Sequence, residues 1–283
     1  MIMLQGQSLG AFFVSLLPAV MRGRKKGYDM VIKLIEMELP VGEKLVVAKN
    51  RICSREDNGH LGRISIVSGI HGDELEGQYV CYEVARRIEE NPMALQGIVD
   101  IYPAVNPIGV AMSHRNMPRL EMDMNRIFPG NSKGDMYERA AASVVEDLIG
   151  SDLCIDIHAS NIFVKEIPQV RLNEESADRL LSFAKMMNVD MIWVNASETV
   201  HEATLAYSMN VLGVPSMVVE MGQGSSVSRA YGNQVVDGIF NLMYEMGLWT
   251  KTPPQVQMPV ISSDGKVEII CSETDGLFLP CIG

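Results

Sequence analysis

The chain has 283 residues, 47% of them hydrophobic and 21% charged, with a formal net charge of −11. That length supplies material for a substantial core, which excludes disorder as the main state and fits one large domain or a domain with an appendage. The negative field opposes phosphate backbones and anionic lipid, so neither nucleic acid nor membrane is an expected partner.

In chain order, the apolar stretch Leu9–Met21 comes first. It is shorter than the ~20 apolar residues a membrane span needs. It also lacks the preceding positive charge and cleavage site of a secretory signal. The dense basic run Arg22-Gly23-Arg24-Lys25-Lys26 follows it. Residues 1–29 are read as an N-terminal extension, packed or disordered. The alternative is a non-native leader, translated from a ribosome-binding region before Met30, which N-terminal sequencing of the protein from its source would exclude by finding upstream residues.

Short apolar runs then alternate with amphipathic segments. Strands are expected at Arg63–Ser68, Ile98–Tyr102, Leu153–Ile157, Met191–Val194 and Ser216–Glu220. Helices are expected at Glu76–Glu90, Met136–Ile149, Glu174–Met187, His201–Leu212 and Ser228–Met246, with Asp135 and Glu138 forming a capping box. This alternation predicts an α/β fold: a mixed, mainly parallel sheet flanked by helices over 30–250. Lys251-Thr252-Pro253-Pro254 breaks the pattern. The runs Val256–Val260, Val267–Cys271 and Leu277–Pro280 beyond it suggest a short, incomplete β appendage over 251–283.

Five scattered cysteines with no C-x-x-C read as reduced thiols in a cytoplasmic protein, and they disfavour a thiolate zinc site.

Ligands of open α/β sheets bind beyond the carboxyl ends of the strands. Three such ends carry unusual groups: Gly69-Ile70-His71-Gly72-Asp73-Glu74, then His158, then Glu220-Met221-Gly222. His71, Glu74 and His158 supply two imidazoles and a carboxylate, which is the layout of a catalytic zinc site with one open position. H-x-x-E alone is weak, and a lone loop histidine is more often simply hydrogen-bonded. Glu220 is either a salt-bridged acid or a general base. Asp156 shares a strand face with His158 and either orients it or is an ordinary buried acid. In the long stretch Arg115–Gly130, Arg115 and Arg126 are anion-binding candidates, whereas Arg119 reads as solvated charge. His60, His114 and His201 read as surface histidines, with His114 of interest beside Arg115. Met112, Met117, Met122 and Met124 read as gap-filling side chains. No G-x-S-x-G occurs, which removes the usual serine hydrolase reading.

The sequence resembles the succinylglutamate desuccinylase/aspartoacylase family of the zinc carboxypeptidase superfamily, over roughly Val46 to Trp249. The resemblance rests on five motifs in order: G-x-H-G-D-E at Gly69–Glu74, N-P at Asn106–Pro107, R-x-x-P…D-x-N-R-x-F-P-G at Arg115–Gly130, D-x-H at Asp156–His158 and P-x-x-x-x-E-x-G at Pro215–Gly222. It implies one zinc per chain held by His71, Glu74 and His158. It further implies Glu220 as acid/base, Arg115 as the residue polarising the scissile carbonyl, and Asn125 with Arg126 as the pair holding a substrate carboxylate. Relatives usually continue through more of the β domain beyond the position of Gly283, so an incomplete or divergent appendage is expected; Asn116 replaces a common aromatic and Leu120-Glu121 replaces Asp-Gly, both in the region expected to contact substrate. Specificity is therefore not inherited.

The expected activity is hydrolysis of the amide bond of a small N-acyl amino acid or similar carboxylate-bearing compound through a metal-activated water. The alternatives are a metallocarboxypeptidase acting on peptides or cell-wall peptides, and a metal- or ligand-binding protein without turnover. The acyl group, the amine and any homo-oligomeric state stay open.

Overall fold

The computed structural model describes residues 29–54, 61–118, 120–195 and 202–262. The leader, His60, Arg119, His201 and the expected strands Val267–Cys271 and Leu277–Pro280 lie outside the described residues.

The elements run β1 (Asp29–Glu38), β2 (Lys44–Cys53), β3 (Arg63–Val67), α1 (Glu76–Glu90), β4 (Ile98–Tyr102), α2 (Pro107–Met112), α3 (Met136–Leu148), β5 (Leu153–His158), β6 (Glu166–Asn173), α4 (Glu174–Lys185), β7 (Met191–Asn195), α5 (Leu205–Val211), β8 (Ser216–Gly222), α6 (Arg229–Glu245) and β9 (Val260–Ser262). The nine strands among the described residues form one mixed sheet in the order β1-β2-β4-β3-β5-β8-β6-β7-β9. The pairings β4–β3, β3–β5, β5–β8, β6–β7 and β7–β9 are parallel, and β1–β2, β2–β4 and β6–β8 are antiparallel.

Alternation along the strands sorts side chains between two faces. One face presents Ile64, Ile66, Ile155, Ile157, Val219 and Val170, packed against α1, α4 and α6 in one apolar cluster. On the other, Val67, Tyr102 and Cys154 pack with α3 and α5, and Asp156, His158 and Glu220 leave the same face among them. Helices on both faces explain why β5 is buried at every residue. The expected box at α3 is present: Asp135 accepts from the Tyr137 and Glu138 amides, and Glu138 Oε2 accepts from Asp135 N at 2.8 Å.

Several elements differ from expectation. Strands β1, β2 and β6 were not anticipated. The Asn106-Pro107 motif opens helix α2, for which no element was expected: the Asn106 side chain accepts from Gly109 N at 3.0 Å, and Pro107 fills the first turn, where no amide is needed. Helix α5 begins at Leu205 rather than at His201, with the Thr204 hydroxyl capping it by accepting from the Tyr207 amide. Of the run Val256–Val260, only Val260 is in a strand, the one that covers Val260–Ser262. That strand pairs parallel to β7 at the edge of the main sheet. Among the described residues, no helix is long and apolar enough to cross a membrane.

Candidate metal centre

The loop after β3 brings His71 and Glu74 over the sheet. Its glycines are needed because the chain runs hard against its neighbours. A Cβ on Gly72 would lie 2.0 Å from the Gly109 carbonyl carbon, and Gly69 has φ +67° with Pro103 O 2.8 Å from where a Cβ would be. The end of β5 supplies His158. In the β5–β8 ladder His158 is the register partner of Glu220, so both side chains leave the sheet together.

His71, Glu74 and His158 are buried, and their potential ligand atoms lie within 4.8 Å of one another. His71 Nδ1 is 2.7 Å from Glu74 Oε1, His158 Nδ1 is 2.9 Å from Glu74 Oε2, and the two Nδ1 atoms are 3.2 Å apart. The Ala159 amide donates to Glu74 Oε2 at 2.9 Å, which fixes that carboxylate.

The outer nitrogens face carboxylates. His71 Nε2 is 2.9 Å from Asp123 Oδ1. His158 Nε2 is 3.1 Å from Asp156 Oδ2, though not aligned for a hydrogen bond. Asp156 is therefore a buried acid within charge-contact distance of His158. Asp123, which the sequence placed in a motif without a role, is its counterpart; its signal was the D-x-N-R spacing.

These contacts set the charges. Burial pushes His158 down, but Asp156 and Glu74 outweigh it and hold the imidazole well above its ordinary range. The same balance, with Asp123 and Glu74 as partners, raises His71. For Glu74 burial pushes up, and the two histidines win, leaving the carboxyl far below its ordinary range. Two imidazoles whose Nδ1 atoms converge on one buried carboxylate fit a borderline divalent ion such as zinc.

Around this centre, Arg115 Nη1 donates to Glu74 Oε1 at 2.6 Å, so in this arrangement it pairs with the carboxylate of the triad. Asn125 is buried, and its Oδ1 accepts from Leu205 N at 2.9 Å at the start of α5. Arg126 has 42% of its side chain exposed, with Nη1 donating to Asn125 O. Burial raises the Glu220 carboxyl to about 7, and Arg171 Nη1 donates to its Oε1 at 3.5 Å. His114 is half-buried and pairs with Glu121, as a surface histidine does. The methionines divide: Met117 and Met124 are core, while Met112 and Met122 are exposed.

The profile of the succinylglutamate desuccinylase/aspartoacylase catalytic domain matches residues 60–246. The N-alpha-acetyl-L-2,4-diaminobutyric acid deacetylase of Halomonas elongata is 26% identical over 188 residues, which cover 65% of this chain and 54% of that protein. The chain thus spans about half the length of this curated relative. A succinylglutamate desuccinylase/aspartoacylase structure from Rhodobacter sphaeroides superposes with a TM-score of 0.71 at 22% identity, covering 84% of this chain and 72% of that one. A metallo-carboxypeptidase from Burkholderia cenocepacia shares the fold with a TM-score of 0.63 at 13% identity, covering 83% and 68%.

Proposed function

Because the chain belongs to the succinylglutamate desuccinylase/aspartoacylase family, we propose that it is a zinc-dependent deacylase hydrolysing the amide bond of a small N-acyl amino acid or similar carboxylate-bearing compound. The observation that carries this reading is the convergence of His71 Nδ1, His158 Nδ1 and the Glu74 carboxylate beside Glu220. The deacetylase among the relatives supports the substrate class.

His71, Glu74 and His158 would hold one zinc per chain. Zinc bound there supplies Lewis acidity, polarising a carbonyl and lowering the pKa of water to ~7. Asp123 and Asp156 keep the Nδ1 atoms turned inward. Glu220, raised to about 7 by burial, suits a base that takes a proton at neutral pH and returns it to the leaving amine. Arg115 pairs with Glu74 through Nη1, and with 41% of its side chain exposed it would exchange that partner for a substrate carbonyl once Glu74 holds the metal. Arg126, whose Nη1 is held by Asn125 O, would offer the rest of its half-exposed guanidinium to a substrate carboxylate, and Asn125 braces the start of α5 beside it.

A panel of short N-acyl amino acids and blocked peptides tests the reading, with Arg126→Ala beside the parent. Turnover of the short compounds, with KM raised ~10-fold or more in the variant through loss of a charged hydrogen bond, supports it. Turnover of peptides alone would favour the metallocarboxypeptidase reading, and an unchanged KM would remove Arg126 from substrate binding.

A further inference from the structure

Strand β6 lies between β8 and β7. Its ladder with β8 sets Gln169 opposite Glu220 and Arg171 opposite Val218. Alternation therefore places Gln169 and Arg171 on the face from which Glu220 and His158 project. Glu166, three residues before Gln169, would by the same rule leave the opposite face.

It does not, because the register shifts between Glu166 and Gln169. An extra residue in one strand flips the side chains beyond it. The shift falls at Ile167-Pro168, and a proline with no amide proton is tolerated in an interior strand at such a bulge. As a result Glu166 Oε2 accepts from Arg171 Nη2 at 2.9 Å and from Gln169 Nε2 at 3.1 Å.

The guanidinium of Arg171 is further fixed from β7, its central carbon lying 5.4 Å from the centroid of the Trp193 ring. One arm is thus tied to Glu166 and the plane is braced by Trp193. The other arm, Nη1, reaches Glu220 Oε1 at 3.5 Å. That distance is at the long limit of a hydrogen bond, so the contact orients Glu220 by charge while leaving its oxygens free to exchange a proton.

We propose that Arg171, braced by Glu166 and Trp193, is a positioning residue that aims the Glu220 carboxylate at the His71–Glu74–His158 centre. The inference rests on the hydrolase reading above, in which Glu220 moves the proton. Arg171 needs no contact with substrate for this. Its action is through Glu220, so its loss lowers the rate of the chemical step and leaves substrate binding intact.

The test compares zinc-loaded parent, Arg171→Met, Arg171→Lys and Glu166→Gln on an N-acetyl amino acid that the parent hydrolyses. Arg171→Met is expected to lower kcat by ~10–100-fold, the scale of a misplaced catalytic group. KM and zinc content should stay at the parent values. Arg171→Lys should recover part of the rate, and Glu166→Gln should lower kcat in the same direction by less. Added methylguanidinium at sub-denaturing concentration should partly restore Arg171→Met, a response that a merely structural loss would not give. Should Arg171→Met fail to fold, the lysine and Glu166→Gln variants carry the same kcat-against-KM reading. An unchanged kcat in all folded variants, or a raised KM at constant kcat, overturns the inference while the active parent keeps the hydrolase reading. A zinc-loaded parent inactive across the panel overturns both.

Discussion

Asp123 Oδ1 lies 2.9 Å from His71 Nε2, and that contact decides which nitrogen of His71 faces the centre. With Nε2 engaged, Nδ1 is left toward Glu74 and His158. Asp156 Oδ2 faces His158 Nε2 at 3.1 Å as a charge contact without an aligned hydrogen bond, so each imidazole has a carboxylate beside its outer nitrogen. Such backing partners typically contribute 10–100-fold to metal affinity. Asp123→Ala is expected to weaken zinc binding on that scale, read by competition with a chromophoric chelator. Equal affinity in variant and parent would mean that the His71 ring is oriented by packing alone.

The charge balance of the centre gives a pH dependence with a defined sign. His71 and His158 have folded pKa values raised above 6.5, so their stabilisation is present below that pH and is lost as pH rises through the folded values. Glu74 and Asp123 are lowered from 4.5 and 3.8, so their contribution is present above those values and is lost on acidification. The metal-free protein should therefore be most stable between about pH 5 and 6 as far as this cluster decides. Zinc needs neutral imidazoles, so loading should release protons, and its stabilisation should grow from pH 6 to pH 8.5. Thermal melts with and without zinc across that range check this. A zinc increment that is flat or shrinks with pH would contradict it.

Glu220 is the clearest case of stability given up at a site. Burial raises its carboxyl from 4.5 to about 7, so ionising it costs stability as pH rises across that interval. Glu220→Gln removes the charge and keeps the shape. The variant is expected to retain zinc and lose turnover. In the metal-free state it should melt a few degrees above the parent at pH 8, on the scale of ~1–2 kcal/mol in a chain of this size, with no gain at pH 4. Comparable turnover in variant and parent would take Glu220 out of the mechanism.

The parts legible in the sequence are those carried by strongly apolar strands and by glycine-flanked polar groups at their ends. RISIV, LCIDIH and SMVVE are short apolar runs suited to a sheet covered on both faces, and His71, Glu74, His158 and Glu220 sit at or just beyond the ends of such strands. Strand β2 (KLVVAKNRIC) hides its signal differently. Its alternation includes Lys49, an inward charge made tolerable by Asp100 at 2.9 Å, a partner 51 residues away. Strand β6 (EIPQVRLN) was obscured by Pro168, which reads locally as a breaker and is absorbed by a bulge that only the pairing with β8 reveals. Arg171 was missed for the same reason, since a residue on an unread strand has no assigned face. Asn125 and Arg115 lie in the long stretch that the sequence singles out, but their partners Leu205 N and Glu74 Oε1 come from tertiary contacts that local spacing does not encode.

The most direct test of the metal-centred reading is the metal content of the purified protein by elemental mass spectrometry, with His158→Ala alongside. The proposal predicts close to one zinc per chain in the parent and loss of that zinc in the variant, while both remain folded. A parent that takes up no metal when zinc is supplied, or a variant that keeps the parent's full content, would contradict it.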